Sequence, residues 1–243
     1  MYTTHFWNKH HIRSCKVIFS FLLLLIPILA QGQDRVAIND AKFNKRKFHF
    51  GIHMGFNVSD FKIRQSKDFI YNDSILGINT KSGPGFNLSI LGSLHLSKNF
   101  ELRILPGVAF SEKYLVYDIR DGVTTDKKLE SIIVEAPIHI KFKSDPIRDF
   151  KIYVFGGMKY GYDMASNSKA RRAEDLVKLS KHDWSVDYGV GIEIHFPLFI
   201  LAPEFKVSNG ILNIHTPDNQ LIFSKSIEAL RSRTFLFSIN FEG

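Results

Sequence analysis

Hydrophobic and polar residues alternate without error from Trp184 to Leu198. Trp184, Val186, Tyr188, Val190, Ile192, Ile194, Phe196 and Leu198 share one face of an extended chain. Ser185, Asp187, Gly189, Gly191, Glu193, His195 and Pro197 share the other. Period two is the mark of a strand, whereas a helix would bury Asp187 or Glu193 among the valines. The run outlasts the usual soluble strand of about five or six residues. It is long enough to cross a bilayer, which takes roughly 9–11 residues of tilted strand. The expectation is a strand with one face against lipid and the other against a polar barrel lumen.

The same period recurs along the chain. Phe48–Ser59, Gly85–Leu96, Phe100–Tyr117, Ser131–Lys143, Ile152–Met164, Phe199–Val207 and Thr234–Glu242 complete a set of eight expected strands. Between them, Asp60–Ser82, Asp118–Lys128, Ala165–Asp183 and Ser208–Arg233 are long and polar. Ser97–Asn99, Ser144–Asp149 and Pro197–Phe199 are tight turns, the second initiated by Asp145-Pro146. Short helices are expected at Ala170–Leu179 and Ser226–Arg231 inside the long connections. Long and short connections thus alternate. Outer-membrane barrels have an even number of strands, short periplasmic turns and longer external loops. The expected fold is therefore all-β, an eight-stranded antiparallel transmembrane up-and-down barrel.

A soluble barrel would show this period with its faces reversed. Against that, the polar face carries both signs of charge at positions inside strands. This lumen set is Glu101, Arg103, Glu135, Lys141, Lys159, Asp163, Asp187, Glu193, His195, Glu204 and Lys206. An eight-stranded barrel is only wide enough for its own side chains, so these should form a packed polar network, with glycines making room for the longest of them. Buried charges are tolerable only when paired. Aromatic residues gather near strand ends, at Phe48, Phe86, Tyr114, Tyr160, Tyr162, Trp184 and Phe196, as in a membrane-interface girdle. Pro106, Pro137 and Pro203 each delete a ladder donor, and bulges are expected there.

Composition refines the picture. Lys9, Arg13 and Lys16 precede the apolar block Val17–Ala30, and Ala30-Gln31-Gly32 offers small residues for cleavage. That order is a secretory signal peptide over residues 1–32, too short in its apolar part to serve as a spanning helix. Its removal leaves 29 Lys and Arg against 24 Asp and Glu, a net charge of +5, and no cysteine, since Cys15 lies before the block. Nucleic acid is not an expected partner at that charge, and no disulfide framework is available. Residues 33–47 form a basic periplasmic lead-in, and residues 48–243 the barrel.

Candidate chemistry is sparse. His49, His53, His95, His139 and His195 fall on the polar face, but the i, i+4 spacing of His49 and His53 separates them by about 13 Å in a strand. Hydrogen-bonded lumen histidines are expected, with no metal and no cofactor. None of the hydrolase, metalloprotease, phosphate-loop or dithiol motifs is present. A rim hydrolase would need the unspecific cluster Ser180-Lys181-His182-Asp183. The chain is expected not to be an enzyme, with no catalytic residue assigned.

Several segments suggest a family. FHFGIHMGFNVSDFKI (48–63), PGFNLSILGSLHL (84–96), ELRILPGVAFSEK (101–113), VEAPIHIKFK (134–143), YVFGGMKYGYDMAS (153–166) and KHDWSVDYGVGIEIHFP (181–197) resemble the PorT/SprT outer-membrane barrels of Bacteroidetes. The resemblance covers nearly the whole mature chain, most narrowly at KYGYDMAS and KLSKHDW. It implies a non-enzymatic barrel required for type IX protein secretion, and for gliding motility where present, acting as a scaffold or assembly factor through loops and rim. Implied partners are outer-membrane lipid, the barrel-assembly machinery and other secretion components. The alternatives are a small OmpA-like barrel or narrow porin with a ligand-binding or passive transport role, and the rim hydrolase. Phe241 is the expected assembly signal of the terminal strand, although Glu242-Gly243 follow it where barrels of this kind usually end.

Overall fold

The structure, a computed structural model, describes residues 46–66, 75–119, 124–165, 179–216 and 227–243. The expected signal peptide, nearly all of the lead-in and the helix expected at Ala170–Leu179, save Leu179 itself, lie outside the described residues. The strands are β1 (Phe48–Gln65), β2 (Ile75–His95), β3 (Phe100–Ile104), β4 (Gly107–Ile119), β5 (Thr124–Lys143), β6 (Phe150–Asp163), β7 (His182–His195), β8 (Ile200–Gly210) and β9 (Ile227–Glu242).

Strands adjacent in sequence pair antiparallel except β3 and β4, and β1 pairs with β9 to close the ring. β3 and β4 together make one stave, because both pair with β2 on one side and β5 on the other. The barrel therefore has the eight staves that the alternation predicts. Closure is what lets a sheet enter hydrocarbon, since no edge is left with unpaired N–H and C=O groups.

The burial pattern is that of an inside-out protein. Phe50 on the outer face is 69% exposed, while Arg103 and Lys141 on the inner face are 0% exposed. An outward band runs around the barrel through residues such as Ile52, Ile90, Ile138, Val154, Val190 and Phe237. At the short-turn end it carries stacked or tilted phenylalanines, Phe100 with Phe142, Phe196 with Phe199, and Phe199 with Phe241.

The strands continue well past the band on the long-connection side. Much of what the polar composition marks as loop at Asp60–Ser82, Asp118–Lys128 and Ser208–Arg233 is strand, and Ile227–Arg231, expected to be helical, is the start of β9. The physical reason is a change of solvent. Beyond the lipid the alternation persists but its meaning inverts, so that Lys62 and Arg64 face water while Phe61 turns inward. Phe61, Ile78, Leu115, Leu129, Leu179, Ile214, Ile227 and Leu230 pack there as an ordinary hydrophobic core.

The prolines behave differently from expectation. Register is the same on both sides of Pro106, from Gly92↔Ile104 to Ser89↔Gly107 and from Ile104↔Ile138 to Gly107↔Glu135. Pro106 interrupts the ladder without a bulge, and its carbonyl still accepts from the Ile90 N–H at 3.0 Å. Pro137 pairs in register with Lys159, and Pro203 with Ile239. The register shifts lie elsewhere, between Ser82 and Gly85, where Gly83-Pro84 intervene, between Ile75 and Gly77, and at Arg64/Gln65. In the short turn before β6, Arg148 has φ 61°, a left-handed conformation with a steric cost for any residue but glycine.

The outward band makes a depth-dependent prediction. Ile138→Lys places a charge in mid-band and should cost about 2–4 kcal/mol, whereas Glu130→Lys, above the band, should cost about 0–1. Urea-dependent unfolding in phospholipid vesicles measures both, and equal costs would mean that the band is not in lipid.

A sealed polar lumen as the candidate functional site

The inner face is built by one parity of each strand. His49, His53 and Asn57 come from β1, Asn87 from β2, Glu101 and Arg103 from β3, and Glu135, His139, Lys141 and Lys143 from β5. Lys151, Tyr153 and Phe155 of β6, Asp187, Glu193 and His195 of β7, Glu204 and Lys206 of β8, and Asn240 and Glu242 of β9 complete it. Burial takes these side chains out of solvent, so their partners must come from within the chain.

At mid-height the centre is Glu204. Its Oε2 receives the Arg103 guanidinium at 2.9 Å, the Tyr153 hydroxyl at 3.0 Å and the Asn240 amide at 3.0 Å. His53 is hydrogen-bonded to Asn240 at 2.5 Å. Alongside, Asp187 meets the His139 ring at 3.2 Å and Lys206 at 3.6 Å. Higher up, Glu135 accepts from Asn87 at 2.7 Å and pairs with Lys159 at 3.3 Å.

Two aromatic rings line the cation side of this network. The Arg103 guanidinium lies 4.8 Å from the Phe155 ring centre and the Lys141 ammonium 4.2 Å from that of Tyr153. Both rings lie across the sheet on glycines, Tyr153 on its pairing partner Gly191 and Phe155 on Gly189. A Cβ at either glycine would strike the ring. Gly189 and Gly191 thus make room for aromatic side chains, which in turn carry the cations.

Toward the short-turn end is a knot of opposite charges. Glu101 meets Lys143 at 2.7 Å, Glu193 meets Lys141 at 2.5 Å, and Glu242 meets His49 at 2.6 Å. His49 also lies 3.4 Å from Glu101. One ligand atom each from His49, Glu101 and Glu242 falls within 4.8 Å of the others, a donor set of the kind a small divalent ion takes. Lys141 reaches two of those carboxylates as well, at 4.0 and 3.7 Å, so the positive charge is already supplied from within the chain. Spacing along β1 alone conceals this trio, because its members come from three strands.

The sequence-derived lumen positions fall as follows. Glu101, Arg103, Glu135, Lys141, Asp187, Glu193, His195, Glu204 and Lys206 are buried inside the ring, and Lys159 is nearly so. His195 approaches Glu193 at 3.7 Å and the Asp149 carbonyl at 3.3 Å. Asp163 stands apart at the outer mouth, half-buried, where its Oδ1 accepts the Ala165 N–H at 2.9 Å. Glu242, Tyr153 and Phe155 are among the inward residues outside that set, and period two along β9 and β6 marks all three as inward.

Among the aromatic positions, Phe48 and Phe196 lie at the short-turn end and Phe86 at the upper end of the band, stacked on Phe110 at 4.5 Å. Tyr160, Tyr162 and Trp184 cluster with His182 on the upper outer face. Tyr114 lies beyond Glu112, whose carboxylate accepts its hydroxyl at 2.9 Å and the Lys128 ammonium at 2.8 Å. These contacts hold the Glu112 carboxyl below its usual range, Lys128 contributing most. Tyr114 thus lies on the outer-mouth side of Glu112 and pairs with Lys81. Phe241 faces outward and pairs with Ile52 and Leu201.

The rim cluster does not assemble. The Ser180 hydroxyl contacts the backbone of His182, the His182 ring bonds the Tyr160 hydroxyl at 2.7 Å, and Asp183 accepts from Ser232. Nucleophile, base and acid therefore have different partners.

This inside-out, closed β-architecture is matched in known proteins. Residues 29–216 match the family described as outer membrane protein beta-barrel domain. The chain belongs to that family. It is an outer-membrane protein, and its fold is similar to small outer-membrane barrels. OprG of Pseudomonas aeruginosa is 12% identical, with a TM-score of 0.46, 80% of this chain and 94% of that one covered. Neisserial surface protein A is 12% identical, with a TM-score of 0.40 and coverages of 80% and 96%. Ail, the attachment invasion locus protein of Yersinia pestis, solved with the heparin analogue sucrose octasulfate, is 13% identical, with a TM-score of 0.36 and coverages of 82% and 100%. Comparison with curated proteins gives no match.

The central ion pair should be strongly coupled. Arg103→Met and Glu204→Gln should each destabilise by about 3–5 kcal/mol, because each leaves a buried charge without its partner. The double variant should lose clearly less than the two combined. Unfolding in vesicles measures the cycle, and additive losses would mean that the two groups act independently.

Proposed function

We propose that the protein is a non-enzymatic outer-membrane scaffold that supports type IX protein secretion, and gliding motility where the cell glides. The resemblance to PorT/SprT barrels along nearly the whole mature chain motivates the secretion role. The sealed lumen supports a scaffold over a channel. Arg103, His139, Lys141, Asp187 and Glu101 at its centre are without solvent exposure. A path for solutes would have to break several buried ion pairs.

On this reading the working surfaces are the two rims and the connections on the outer side, held by a rigid frame. Other secretion components are the partners there. The barrel-assembly machinery is the partner during biogenesis, with Phe241 and the last strand as its signal.

Two measurements test the proposal. Deleting the gene should trap secreted cargo in the periplasm, and a variant carrying Arg103→Met with Glu204→Leu that still folds should restore export. Normal export in the deletion strain would overturn the role. In planar bilayers the purified barrel should give little or no steady conductance, whereas regular porin-like steps would favour the narrow-porin alternative.

A further inference from the structure

On the outer face of the closing seam, β9, β1 and β2 form an apolar groove of about 410 Å³. Its walls are two outward rows of paired side chains. Phe237, Phe56 and Phe86 make the upper row, and Ile239, Met54 and Leu88 the lower. Between the rows the floor is Ser238, Gly55 and Asn87, which turn inward and leave the backbone open. The groove is within the lipid-facing band.

Directly above it, on the same two strands, the outer face becomes basic. Val58 and Phe235 are the last outward apolar pair, followed by Asp60 opposite Arg233 and then by Lys62 opposite Arg231. Arg233 is taken up by Asp60 in a two-toothed ion pair at 2.9 and 2.6 Å, and Arg64 by Glu228 at 3.2 Å. Lys62 and Arg231 are exposed and have no acidic partner among the described residues. Two cations directly opposite each other on one face of an antiparallel pair repel, a destabilising arrangement that an anion placed between them relieves.

We propose that this seam binds a phosphate-bearing lipid of the outer leaflet, with its phosphate between Lys62 and Arg231 and an acyl chain in the groove below. The dimensions agree. Phe56 and Lys62 are six residues apart, about 20 Å along a strand, or about 15 Å in height at the usual barrel tilt. About 10 Å of that height lies above Val58 and Phe235, the last apolar pair, at headgroup depth and within reach of long basic side chains. A lipid whose phosphate meets the cations therefore enters the groove with the upper part of its chain. The assignment is independent of the secretion role.

Native mass spectrometry of the full-length mature barrel in detergent tests it, with bisphosphorylated lipid A as the probe. Lipid A should bind, and its dephosphorylated form should bind about twenty-five-fold more weakly, taking about fivefold for each cation. Lys62→Gln with Arg231→Gln should weaken lipid A by a similar factor, and Met54→Trp should weaken it by filling the groove. Lys128→Gln, a basic residue on β5, should leave binding unchanged. Heat-modifiable electrophoretic migration shows that each variant is folded. Equal binding of both lipid forms, an equal loss with Lys128→Gln, or unchanged binding in the Lys62/Arg231 double variant would overturn the proposal. So would inorganic phosphate competing at lipid-like affinity, which would indicate an anion site without a lipid.

Discussion

A strand in hydrocarbon cannot leave its backbone polar groups unpaired, and the pairing of β1 with β9 is where that demand is met. Residues 51–65 of β1 meet 227–242 of β9. Without this seam both strands would be open edges in lipid, each unpaired group costing several kcal/mol. Closure also creates a new problem. Every strand then has an inner face with no access to water. The charges on that face are tolerable only because each acid has a donor within reach, as Glu204 has Arg103, Tyr153 and Asn240.

The network and the seam are linked at the chain's end. Glu242 is both the last paired residue of β9 and the partner of His49 in the lower charge knot. Phe241 faces outward while Glu242, one residue on, turns its carboxylate into the lumen. The same economy of position appears in β6, where Tyr153 gives its ring to Lys141 and Gly191, and its hydroxyl to Glu204.

Much of this could be read from the alternation alone, because period two survives whatever solvent a strand faces. The inward parity of Glu101 and Arg103, and of Asp187 and Glu193, needs only counting. What could not be read is the solvent itself. Phe61-Lys62-Ile63-Arg64 alternates as cleanly as the membrane run, yet its charged residues suggest a loop until the strand is seen to have left the lipid. The partners across the lumen were also hidden. His49, Glu101 and Glu242 are far apart in sequence, and only closure brings them within 4.8 Å. Proline alone does not reveal a bulge: register shifts at Gly83-Pro84 but runs unbroken past Pro106, where only the missing N–H interrupts the ladder.

The hydrophobic cap above the membrane gives the molecule two storeys that respond oppositely to temperature. Opening the upper one would bring Phe61, Leu115 and Leu230 into water and raise the heat capacity. Opening the lower one would hydrate carboxylates and ammonium groups, and polar exposure lowers it. Chilling therefore loosens the cap, whose cohesion fades as apolar hydration becomes cheaper, while the charged storey beneath it is not weakened by that effect. In a cold cell, the outer mouth is the part of this barrel that would yield first.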